Sequence, residues 1–146
     1  MAYCVQADIT HMLPEAVLIR LTDDAGAGAI DAARLAESID TAADEIDAYI
    51  GGRYALPVSG AVPPILVKLN ADIAIYNLYS RVKESIPELR QKRYDAAVKL
   101  LEKIAEGKIS IGIQPPPDAP AAGGYEGGMA VSARTQIFDS TTMDKY

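Results

Sequence analysis

The chain has 146 residues, 49% of them hydrophobic and 23% charged, which supports one domain with a real core. A single cysteine, Cys4, and a single histidine, His11, exclude an internal disulfide framework, a multi-cysteine zinc site and any His-cluster metal site. The formal net charge of −6 argues against general nucleic-acid binding, no apolar run reaches the ~18 to 20 residues of a membrane span, and the first residues lack the basic start and apolar stretch of a signal peptide.

These features describe a soluble intracellular protein. With no tryptophan and one phenylalanine, the core is built mostly from Ala, Ile, Leu and Val, a composition that suits close-packed helices. The charge is unevenly spread. Residues 1–50 hold ten acids and two bases, a balance of −8; residues 78–108 hold eight bases and five acids, a balance of +3. A chain with one acidic and one basic end can attract copies of itself or another partner, although solvated helix faces produce the same pattern.

In chain order, Asp8 is placed to cap a single helical turn over 9–12, and Pro14 suits the first position of a short helix over 14–21. Residues 22–28 form a loop by composition. Asp31 then caps a long helix in which Leu35, Ile39, Ala42, Ile46 and Tyr49 make one apolar stripe, ending at Gly51-Gly52. Residues 53–64, with three prolines and a glycine, form a crossing segment. A further long helix runs from Pro64 to about Lys83. Its apolar residues go almost all the way round, which makes it either the central helix or one with a face in a subunit interface; Ile65, Ile73, Tyr76 and Tyr79 are the candidate interface residues.

Pro87 opens a last long helix with a stripe of Tyr94, Ala97, Val98, Leu101, Ile104 and Ala105, and Gly107 stands where its C-terminal cap belongs. The alternation of Ile109, Ile111 and Ile113 predicts a short strand. Residues 114–128 are rich in proline and glycine and supply little apolar surface to bury. The expectation is a mainly α fold: a small bundle of about four helices with a short strand over residues 1–113, followed by a linker and an extended C-terminal arm over 114–146. Val131, Ile137 and Phe138 are the arm's candidate anchors.

Candidate chemistry is sparse. Asp40, Asp44 and Asp47 line one helix face and either hold a hard cation or form a solvated acidic stripe. Neither Cys4 nor His11 has the neighbours of a catalytic nucleophile. The glycines lack the spacing of a phosphate loop. Arg81, Lys83, Arg90, Lys92 and Arg93 form a basic corner that either contacts phosphates or is salt-bridged with Glu84, Glu88 and Asp95. Arg53 and Tyr54, just past the double glycine, suit a structural clamp: five fixed donors on the arginine for carbonyls, and a ring to bury on the tyrosine.

The segment Ile46-Asp47-Ala48-Tyr49-Ile50-Gly51-Gly52-Arg53-Tyr54-Ala55-Leu56-Pro57 resembles the central motif of the Mu-like prophage virion proteins. Ala71-Asp72-Ile73-Ala74, Arg93-Tyr94-Asp95-Ala96 and Leu101-Glu102-Lys103-Ile104-Ala105-Glu106-Gly107-Lys108 resemble the same family in the same order, so the resemblance spans about residues 3–112. It implies a head-to-tail adaptor, also called a connector or head-completion protein, with no catalytic residues and no cofactor. Its implied partners are further copies of itself in a ring, the portal protein above and a tail-side completion protein below, with DNA only as channel contents and no membrane. The implied location is the bacterial host cytoplasm during assembly and the head–tail junction of the virion. Two other readings stand beside it: a DNA-packaging or DNA-binding accessory protein using the basic corner, and a metal-dependent hydrolase using the acidic row.

Overall fold

A computed structural model describes residues 2–82, 85–113 and 116. Five helices follow one another: α1 (Gln6–Met12), α2 (Glu15–Thr22), α3 (Ala32–Ile50), α4 (Pro64–Arg81) and α5 (Glu88–Ala105). The fold is mainly α, and the three long helices form its body.

Local chemistry sets most boundaries. The Asp31 carboxylate accepts from the amides of Ala33 and Arg34 at 2.9 and 3.1 Å, satisfying donors that have no partner inside α3. Pro64 occupies the first turn of α4, where a missing N–H costs nothing. The end of α5 is a Schellman motif: Gly107 has φ +75°, its amide donates to the Ile104 carbonyl at 3.0 Å, and the Lys108 amide donates to the Lys103 carbonyl at 2.9 Å. Asp8 does not cap α1. The helix begins two residues earlier, and Asp8, in its first turn, accepts the Val5 amide at 2.8 Å.

The expected strand is absent. Residues 109–113 are irregular, with no strand among the described residues. The amides of Lys108 and Ile109 are committed to the Lys103 carbonyl at the end of α5, and Gly112 turns the chain with φ +83°. The isoleucine alternation reflects packing instead: Ile111 is buried, while Ile109 and Ile113 lean on the same core.

α4 is the axis of the molecule. It packs against α3 and α5, and α1 and α2 cover part of what remains. Ten of its eighteen residues are buried, from Leu66 to Tyr79, which is why its apolar residues run round the helix instead of forming one stripe. Of the two alternatives for this helix the structure shows the central one, so two of the candidate interface residues, Ile73 and Tyr79, are enclosed within a single chain, and Ile65 and Tyr76 are partly covered.

Two buried polar residues fix the register around α4. Asn70 is fully buried; its Oδ1 accepts the Cys4 amide at 2.9 Å and its Nδ2 donates to the Ile39 carbonyl at 3.1 Å. One side chain therefore ties the N-terminal segment, α3 and α4 together. Asp72 is buried too, and meets Lys68 at 3.0 Å and Arg93 of α5 at 3.4 Å.

Candidate functional site

The turn after α3 is the most specific motif of the sequence. The amides of Arg53 and Tyr54 both donate to the Ile50 carbonyl at 2.9 Å, closing the helix, and the Tyr54 ring is buried in the core. Gly51 keeps a right-handed conformation, with φ −62°. Its need for glycine is spatial: a Cβ there would lie 2.8 Å from the Asp47 carbonyl oxygen and 3.1 Å from Leu56 Cδ1. The turn thus holds the crossing segment against the end of α3.

The basic corner is dispersed by the fold. Arg81 donates to both carboxylate oxygens of Asp24 at 2.6 and 2.9 Å and to the Leu21 carbonyl at 2.6 Å, tying the end of α4 to the α2–α3 loop. This pairing raises the Arg81 pKa and lowers that of Asp24. Arg90 donates to the Met12 carbonyl at 3.0 Å, Lys92 pairs with Glu88 at 2.6 Å, and Arg93 reaches Asp72. Of the partners expected from sequence, only Glu88 appears in these pairs; Asp24, Asp72 and the Met12 carbonyl are supplied by segments distant in the chain. Lys83 lies outside the described residues, as do Val131, Ile137 and Phe138.

The acidic row on α3 does not converge. Asp40 and Asp44 are exposed, whereas Asp47 accepts a hydrogen bond from the Tyr3 hydroxyl. Among the described residues no three His, Cys, Asp or Glu side chains are grouped to hold an ion. Burial, followed by the Asp47 hydrogen bond, holds the Tyr3 phenol well above its ordinary pKa. Burial also pushes the Cys4 thiol up to about 12, with a smaller contribution from Asp8. An activated cysteine needs the opposite shift, and His11 stands exposed at the end of α1.

Two surface features were not foreseen. Tyr76 and Tyr94 stack across α4 and α5 with ring centroids 4.0 Å apart, and the Tyr94 hydroxyl donates to Glu45 of α3 at 2.9 Å. That set joins all three long helices at one flank. On another flank an apolar cleft of about 250 Å³ lies between the N-terminal segment and α3, with Asp40 at its rim. No helix among the described residues is long and apolar enough to cross a membrane.

The geometry is that of a small helical body with charged flanks, and comparison with known proteins supplies its lineage. The family model described as Bacteriophage Mu, Gp36 matches residues 3–128. The chain belongs to the bacteriophage Mu Gp36 family. It is also similar to the Mu-like prophage FluMu protein gp36 of Haemophilus influenzae, with 36% identity over 87 residues, covering 60% of this chain and 59% of that protein. The chain thus aligns with less than two thirds of that relative. The Gp36 match includes the Arg53–Tyr54 turn, all five helices and the whole Pro/Gly-rich segment over 114–128, so membership rests on the described body and beyond it.

In this Gp36-family chain the sequence did not single out Asn70, Asp24 or Glu45. Asn70 sits in an apolar run, where a polar residue is a legible signal of a buried hydrogen-bonding role. Asp24 and Glu45 carry no such signal, because their partners lie 57 and 49 residues away.

Proposed function

We propose that this Gp36-family protein is a structural component of virion assembly, a head-to-tail adaptor whose copies form a ring beneath the portal. The observation that supports this reading most is the distribution of charge on one compact helical body. α3 exposes Glu37, Asp40 and Asp44, while the start of α5 carries Arg90, Lys92 and Arg93. Opposite charges on different surfaces favour heterologous contacts, and such contacts close into rings when the rotation between copies allows. In this reading the protein works by filling a defined position between the portal and a tail-side completion protein, with DNA passing through, during assembly in the host cytoplasm and afterwards at the virion's head–tail junction.

A DNA-binding accessory role draws less support. Arg81 and Arg90 already serve Asp24 and the Leu21 and Met12 carbonyls, so two arginines of the corner would have to give up bonds inside the chain to reach phosphates. Native mass spectrometry and light scattering across protein concentration, with and without the portal protein of the same phage, test the proposal. The expected result is a closed ring, alone or on the portal. A chain that stays monomeric throughout and binds no portal overturns it. Tight, strongly salt-dependent binding to DNA would favour the accessory role instead.

A further inference from the structure

Leu89 is 60% exposed on the first turn of α5, one of three large aliphatic side chains that stand exposed among the described residues, with Val5 and Leu56. The first two turns of α5 around it carry Arg90, Lys92 and Arg93; Lys92 pairs with Glu88 and Arg93 with Asp72, and both cations remain exposed. The cleft beside the N-terminal segment has the complementary character. Val5, Ala32, Leu35, Ala36 and Ile39 line it, Asp40 stands at its rim, and Glu37 and Asp44 are exposed within a turn of Asp40. Its volume of about 250 Å³ is sufficient for one leucine side chain.

The two features lie on opposite flanks. Glu45 marks the side of α3 that meets α5, through Tyr94. At 3.6 residues per turn, Ala36 and Asp40 lie roughly 180° and 140° around α3 from Glu45. On α5, Leu89 lies roughly 140° around from Tyr94, the residue that faces α3. The cleft therefore opens away from α5, and Leu89 points away from α3.

We propose that Leu89 of one copy seats in the Val5–Ile39 cleft of the next, with the exposed Lys92 and Arg93 against Glu37, Asp40 and Asp44. The occupant is a second copy of this chain because one surface supplies an apolar knob in a basic setting and the other an apolar hole in an acidic one. Their placement on opposite flanks makes the contact head-to-tail, so every open chain of copies keeps one unused knob at one end and one unused cleft at the other until a ring closes. This inference rests on the ring reading above and names the surfaces that would build it.

Leu89→Asp and Ala36→Arg test it, since both positions are exposed and both variants should melt like the wild type. Each alone should weaken self-association about tenfold or more, through lost leucine burial or a blocked, like-charged cleft. A 1:1 mixture of the two should form a dimer and stop there, because only one intact knob and cleft meet. A second arm joins Leu89→Cys and Ala36→Cys in a Cys4→Ser background; mild oxidation should give a covalent ladder of copies. If the wild type assembles and both variants assemble as well as it does, or the mixture grows past a dimer, or no ladder forms, this interface is wrong and the ring reading survives. If the wild type does not associate at any concentration or salt, both fall.

Discussion

Single side chains decide how the elements are held. Replacing Asn70 with Ala leaves the buried Cys4 amide without its acceptor and opens a void at the meeting of three segments. Unfolding stability should fall by about 2 kcal/mol or more, given ~1 to 3 kcal/mol for each buried polar group left unpaired, and urea titration measures it directly. Tyr94 makes a pH-dependent contribution. Burial, then the hydrogen bond to Glu45, pushes its phenol up to about 12 from the ordinary 10.0. Because the folded value is the higher one, the fold favours the neutral phenol. Its contribution is complete below pH 10 and is lost as pH rises through 12. Tyr94→Phe should lower Tm at pH 8 and flatten the fall in Tm between pH 10 and 12; an unchanged slope would assign the alkaline transition to other groups.

At the scale of elements, the caps carry separable costs. Gly107→Ala forces a side chain into the left-handed region and should destabilise by roughly 1–2 kcal/mol. Gly51→Ala should cost a similar amount, about 1–3 kcal/mol, for a different reason: its φ is ordinary, and the new methyl presses on the Asp47 carbonyl and Leu56. Asp31→Ala removes the acceptor for two first-turn amides of α3 and should cost about 1 kcal/mol. Denaturant midpoints that shift with an unchanged m-value would place these effects in folded-state stability. A Gly51→Ala protein as stable as wild type would mean that the crossing segment moves aside freely. That outcome would weaken the assignment of the Ile46–Pro57 motif as a fixed turn.

Across the whole molecule, the Arg81–Asp24 pair, the Arg93–Asp72 pair and the Tyr94–Glu45 bond join segments remote in sequence. They draw several cations of the basic corner into one chain's own architecture. What remains for a neighbour is weaker, longer-range complementarity between the α3 and α5 flanks. For the proposed ring, raising salt from 50 to 500 mM should therefore slow assembly more than it lowers the melting temperature, because screening acts most on exposed charges and on encounter. Stopped-flow light scattering beside thermal melts checks this; equal sensitivity of the two would argue that the flanks do not steer association.

The sequence by itself determined the helical class, the start of α3 at Asp31, the prolines that open α4 and α5, the glycine that ends α5, and the family, through a motif running across a helix end and its turn. All of these rest on interactions within a few residues or on one helix's periodicity, which are written locally. Tertiary structure decided the rest. Whether the all-round apolar α4 met a subunit or its own chain depended on how α1, α2, α3 and α5 surround it. The isoleucine alternation at 109–113 looked like a strand because period-two patterning also arises where an irregular segment leans on a core, and what separates the two is whether a neighbour pairs with it, which none does among the described residues. The fate of each cation in the basic corner turned on carboxylates and carbonyls contributed by distant segments. Asp24 lies 57 residues from Arg81, and at that separation charge and spacing in a sequence carry no information about which partner the folded chain delivers.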